Sequence, residues 1–204
     1  MGHASENYLR WTAKNMDIIL TGEKLPCQGC AEGKLKQKAV SKVPIEESSK
    51  PGERFGMDIS SSSSVSMGGN KYWALWIDYG SNYVWSIFLK EKSDLVEKGL
   101  IFIKERIKEF NNNTIKIRCD NGGENQKLMS TSKSEGLNVI FEVTAAGTPQ
   151  QNGKVERIIA TLWGKMRACM MHAGFTQSMK NRMWTEVIAT VTKLQNLLGQ
   201  KDGG

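Results

Sequence analysis

Between residues 94 and 120 the apolar spacing changes its period, and this change limits the fold more than any other feature of the chain. Val96, Leu100, Ile103, Ile107 and Phe110 recur at intervals of four and three, lining one face of a helix that starts at Ser93 or Asp94, either a good N-cap. Asn111, Asn112 and Asn113 stop it. Ile115, Ile117 and Cys119 then alternate with Lys116 and Arg118, the period of a strand ending at Asp120, where Asn121-Gly122-Gly123 breaks it. Alternation turns Cys119 inward as a small buried side chain. A helix feeding directly into a strand belongs to a sheet with helices laid on it.

The flanking segments extend this pattern. Residues 55–65 form a first strand that includes the Ser60 to Ser64 run, and residues 71–79 and 83–89 pair through the turn Gly80-Ser81-Asn82. Trp73, Trp76 and Trp85 on that hairpin are expected in the core rather than as stacking platforms for bases. A short helix from about Glu124 and a strand over 137–143 follow. Thr148 as N-cap, Pro149 at the first helical position and Gln151 three residues after the cap then open a long helix. Its apolar face carries Val155, Ile158, Ile159, Leu162, Met166, Cys169 and Met170, and a last amphipathic helix covers 179–198. The expected class is α/β: a mixed five-stranded sheet flanked by helices, in the order of ribonuclease H-like folds.

Charge is unevenly spread. Residues 51–143 hold 12 basic and 12 acidic side chains, whereas residues 144–204 hold 8 and 3 and so carry most of the net +7. That end is either a solubilising surface or a contact for a polyanion. The four cysteines are too few for a disulfide scaffold, and no apolar run reaches the length of a membrane span. Glu6, Arg10, Lys14 and Asp17 stand where a secretory signal would be apolar, so the chain is expected to be soluble and not secreted.

Three acidic residues fall where such a fold would gather them. Asp58 lies in the first strand, Asp120 ends the fourth, and Glu156 opens the long helix, with 35 residues between the last two. Carboxylate oxygens are hard ligands suited to Mg²⁺, and two divalent ions serve phosphoryl transfer by assisting the attacking and leaving oxygens. Among 21 acidic residues, however, accidental triples are common. The glycines after Asp120 and Gly153 before Glu156 point to a close approach of backbone or ligand.

Ile117-Arg118-Cys119-Asp120-Asn121-Gly122-Gly123-Glu124 and the stretch from Thr148 to Arg157 resemble the two most diagnostic segments of the integrase core of retroviruses and LTR retrotransposons, in its copia-type form. Gly56-Met57-Asp58-Ile59, the hairpin over 71–89 and Trp184-Thr185-Glu186-Val187 extend the likeness from about residue 52 to 198. The resemblance implies a D,D-35-E triad of Asp58, Asp120 and Glu156 holding two Mg²⁺ or Mn²⁺ ions on a ribonuclease H-like sheet. It also implies DNA as partner, both element ends and target, a homo-oligomer, and a nuclear location if active or a cytoplasmic one otherwise. Asn152, Lys154 and Arg157, nearest the triad, are the expected DNA contacts.

Cys27-Gln28-Gly29-Cys30 resembles the cysteine half of the His-His-Cys-Cys zinc module that precedes copia-type cores, with His3 in the place of its second histidine. The expected organisation is a truncated zinc module over 1–40, a polar linker over 41–53, the catalytic core over 54–198 and a polar tail over 199–204. Three zinc ligands, His3, Cys27 and Cys30, leave that site incomplete. The chain is expected to begin inside the module and to stop before further DNA-binding domains, as a fragment or a decayed or domesticated copy. The rivals to an active recombinase are an inactive module that binds DNA through its basic end, and a water-only nuclease using Glu124 as a further acidic ligand.

Overall fold

The computed structural model describes residues 4–22, 27–33, 50–112, 114–143 and 153–198. Their elements are α1 (Glu6–Asn15), α2 (Gln28–Gly33), β1 (Arg54–Ser61), β2 (Tyr72–Asp78), β3 (Val84–Leu89), α3 (Asp94–Phe110), β4 (Ile115–Cys119), α4 (Gly123–Ser134), β5 (Val139–Val143), α5 (Gly153–His172), α6 (Gln177–Arg182) and α7 (Trp184–Leu197). The chain divides into two compact units, Ala39–Ile159 and Met1–Lys38 with Ala160–Gly204. Residues 41–49 of the expected linker lie outside the described residues.

In the first unit the five strands form one sheet in the order β3-β2-β1-β4-β5. The β1–β2 and β2–β3 pairs are antiparallel and the β1–β4 and β4–β5 pairs parallel, so the sheet is mixed as expected. Successive strand residues face opposite ways. Phe55, Met57, Ala74, Trp76, Ile115, Ile117 and Cys119 therefore share one face, packed with Leu95, Leu100, Phe102 and Ile103 of α3 and Leu128 of α4. Trp73 and Trp76 are fully buried, and Trp85 packs against this core with its ring centroid 5.4 Å from that of Phe102. A Cβ on Gly99 would lie 3.1 Å from Leu128 Cδ2, so the glycine lets α3 and α4 pack closely. Gly56, Asp58, Arg118 and Asp120 belong to the opposite face.

Local chemistry explains where the chain departs from its pattern. Ser93 is the N-cap of α3 but makes no side-chain cap; Asp94, the first helical residue, instead braces the preceding turn, its Oδ2 accepting from the Lys90 and Glu91 amides at 2.9 and 3.1 Å. Asn111, at φ 49°, ends that helix in the left-handed conformation that asparagine tolerates. β1 stops at Ser61 rather than running to 65, because the Ser64 amide turns back to Ser62 Oγ at 3.2 Å. At the β2–β3 turn the fully buried carboxylate of Asp78 accepts from the amides of Gly52, Gly80 and Ser81 and from Ser81 Oγ.

The second unit holds α1, α2, most of α5, α6 and α7. The single helix expected over 179–198 is two: α6 is capped by Thr176 Oγ1, which accepts from the Met179 amide at 3.3 Å, and the chain breaks at Met183. The break seats Trp184 against Trp163, ring centroids 5.6 Å apart. Lys165 is only 8% exposed and donates to Gln195 Oε1 at 2.5 Å, which ties α5 to α7 and removes it from the solvent-facing cations. His172 is exposed at the end of α5.

Candidate active site

Register sets the two aspartates beside one another. Gly56 pairs with Arg118 across the parallel β1–β4 ladder, so two residues on Asp58 stands level with Asp120, one step past the end of β4. Neighbouring strands lie about 4.8 Å apart. Glu156 enters from α5, in its first turn. Gly56 is what admits that helix: a Cβ there would lie 2.6 Å from Val155 Cγ2 and 2.8 Å from Tyr79 Cε2. Val155 is fully buried, so the residue before Glu156 rests on β1 two positions from Asp58.

Electrostatics record the grouping. Burial pushes the Asp58 carboxyl up to about 6; the Ile59 amide, donating to Oδ1 at 2.8 Å, opposes this, and the charges of Asp120 and Glu156 add to the rise. Burial also pushes the Cys119 thiol up to about 12, with Asp120 and Asp58 contributing. Asp120 is exposed but fixed: its Oδ1 accepts from the Gly122 amide at 3.0 Å and from Asn125 Nδ2 at 2.5 Å. The glycine after Asn121 thus serves a close turn onto the Asp120 carboxylate, since a Cβ on Gly122 would sit 3.1 Å from Oδ1. By contrast, among the described residues a Cβ on Gly153 would meet only the Arg157 guanidinium, at 3.4 Å.

Three hard carboxylate donors whose like charges oppose one another fit a divalent cation by chemistry. Bare carboxylates repel. Among the described residues, no three His, Cys, Asp or Glu side chains are gathered into a ready ligand set.

The expected DNA contacts divide. Asn152 lies outside the described residues. The Lys154 ammonium sits 4.9 Å from the centroid of the Tyr79 ring, whose other neighbour is the Arg54 guanidinium at 5.7 Å. Arg157 is exposed. Glu124 pairs with Lys92 at 3.6 Å. Sequence reasoning missed the work of Gly56, although a glycine inside a strand signals close approach. It also missed Asn125 and the Arg54–Glu142–Arg118 cluster, in which Glu142 Oε2 accepts from Arg54 Nε at 3.0 Å and Arg118 Nε at 3.2 Å.

The zinc-module remnant is not shown. His3 lies outside the described residues; Cys27 and Cys30 are half-buried one turn apart, the Cys30 amide donating to Cys27 Sγ at 3.4 Å. Within its own unit α2 lies against α5, since a Cβ on Gly29 would meet the Ala168 carbonyl oxygen at 3.0 Å.

No family model matches the chain. It is 31% identical over 200 residues to the retrovirus-related Pol polyprotein from transposon TNT 1-94 of Nicotiana tabacum, covering 96% of this chain and 15% of that protein. The corresponding polyproteins from transposons RE2 and RE1 of Arabidopsis thaliana are 25% identical over 214 residues and 26% over 160, covering 98% and 77% of this chain. The chain spans only 14% and 11% of those two relatives. A chain of the simian T-cell lymphotropic virus intasome, solved in complex with PP2A regulatory subunit B56 gamma, matches with a TM-score of 0.52 at 16% identity, over 78% of this chain and 55% of that one. That likeness is one of fold, consistent with a ribonuclease H-like integrase sheet and its flanking helices. Together the similarities support an integrase-like region. Among the described residues no helix is long and apolar enough to cross a membrane.

Proposed function

We propose that the chain is the catalytic core of a DDE-type DNA recombinase, with Asp58, Asp120 and Glu156 as its metal-binding triad. The observation that carries this reading is geometric: the Gly56–Arg118 pairing sets Asp58 level with Asp120, and Val155, packed on Gly56, brings the first turn of α5 with Glu156 to the same strand. The donors suit Mg²⁺ or Mn²⁺, two ions in the full assembly, which when bound activate the attacking oxygen and stabilise the leaving one. The chemistry is phosphoryl transfer. A water oxygen attacks a phosphodiester at the element end and frees a 3′ hydroxyl; that hydroxyl then attacks a target phosphodiester, joining the strands and releasing a target 3′ hydroxyl. Gly56 and Val155 hold Glu156 near the aspartates, while Asn152, Lys154 and Arg157 contact the DNA beside them. A homo-oligomer would bring two element ends to one target.

The zinc ligands His3, Cys27 and Cys30 belong to the same proposal, as part of a module of which this chain holds three ligands. A second reading, an inactive copy that binds nucleic acid without cutting it, is favoured by the excess of positive charge over residues 144–204, 8 basic against 3 acidic side chains. Incubation of the protein with a short DNA duplex and Mn²⁺ separates the two. Joined products support the recombinase; salt-sensitive binding without nicks or joints supports the binding module.

A further inference from the structure

We propose that Asn125 is a positioning residue for Asp120: its side-chain amide fixes the carboxylate by Oδ1 and so reserves Oδ2 for the cation. This inference rests on the triad reading above. Asn125 stands in the first turn of α4, is 4% exposed, and donates from Nδ2 to Asp120 Oδ1 at 2.5 Å and to the Asp120 carbonyl at 3.3 Å. The Gly122 amide donates to the same Oδ1 at 3.0 Å. Oδ2 takes part in neither bond. Two donors on one oxygen of an otherwise exposed carboxylate restrict its rotation, which solvation alone would not do.

The other end of the amide points the same way. Asn125 Oδ1 is buried with no hydrogen-bond partner among the described residues, a costly arrangement for a residue that only filled space. A leucine of similar size would fill the position with no orphaned acceptor, and Asp120, an exposed residue, would keep the Gly122 amide on its Oδ1. What the asparagine supplies and leucine does not is the N–H pair directed at Asp120. Its orphaned oxygen accompanies that donor.

Calorimetric titration of the full chain with Mn²⁺ tests this, using wild type, Asn125→Leu, Asp120→Asn and the double variant. The expected result is a 10- to 100-fold loss of Mn²⁺ affinity in Asn125→Leu, of the size typical for residues that orient a ligand, with no drop in the melting temperature of the metal-free protein. In the Asp120→Asn background the leucine should cause no further loss, because its effect runs through the carboxylate. Wild-type affinity in Asn125→Leu, or an equal loss in both backgrounds, would overturn the assignment. If Asp120→Asn itself binds Mn²⁺ as the wild type does, the triad reading fails and this inference with it. Asn125→Ala, which removes the same donor from a helix that favours alanine, gives the same comparison should the leucine variant not fold.

Discussion

Burial, with two like charges adding to it, favours the neutral form of the Asp58 carboxyl, so its effect on stability has a definite sign. Its value in the folded, metal-free protein, about 6, exceeds the ordinary 3.8. The folded state therefore binds this proton more tightly, and the resulting stability is present below pH 3.8 and lost as pH rises through about 6. Asp58→Asn should remove that loss: in chelator, its melting temperature relative to wild type should climb between those two pH values and then level off. A flat difference across the window would show that Asp58 does not carry the burden. Added Mn²⁺ should raise the wild-type melting temperature at neutral pH and leave the variant nearly unchanged. Cys119 gives a second check at this scale. Fully buried and pushed up to about 12, its thiol should resist alkylation at pH 8 in the folded protein and react on unfolding, as mass spectrometry would read directly.

Elements bring these residues together, and one glycine governs the most important contact. Replacing Gly56 by alanine would place a Cβ 2.6 Å from Val155 Cγ2, which forces α5 or β1 to shift. The expected cost is about 1–3 kcal/mol in denaturant unfolding, the range for overpacking a filled core, together with weakened Mn²⁺ binding as Glu156 moves. Unchanged stability and unchanged binding would mean that α5 does not depend on this contact. The strands and α3 were legible because their periods are strong and Asn111 ends the helix by its own backbone preference. The full length of α4 was not, because Gly123–Ser134 is mostly polar and is held through Leu128 and its close approach to α3, a tertiary contact invisible in the local pattern. The break at Met183 was hidden for a similar reason, since it is the pairing of Trp184 with Trp163 that rewards it.

For the whole molecule, position along the elements left many accidental acidic triples open, and the resemblance of the flanking motifs is what singled out Asp58, Asp120 and Glu156, whereas Gly56, Val155 and Asn125 act across elements and left little local trace. The basic end invites a test of binding. Removing one phosphate-binding cation should reduce the slope of log affinity against log salt by about one unit, so Arg157→Ala should flatten it by that amount on any duplex. A slope that does not change would move the DNA face elsewhere. The central claim, that three carboxylates form one metal-dependent site for phosphoryl transfer, is tested most directly by Asp58→Asn, Asp120→Asn and Glu156→Gln in a Mn²⁺-dependent nicking and joining assay, with DNA affinity measured in parallel. The account predicts that each variant alone abolishes nicking and joining while DNA affinity persists, because each removes a metal ligand and leaves every cationic side chain in place. Wild-type activity in any one of the three would contradict it.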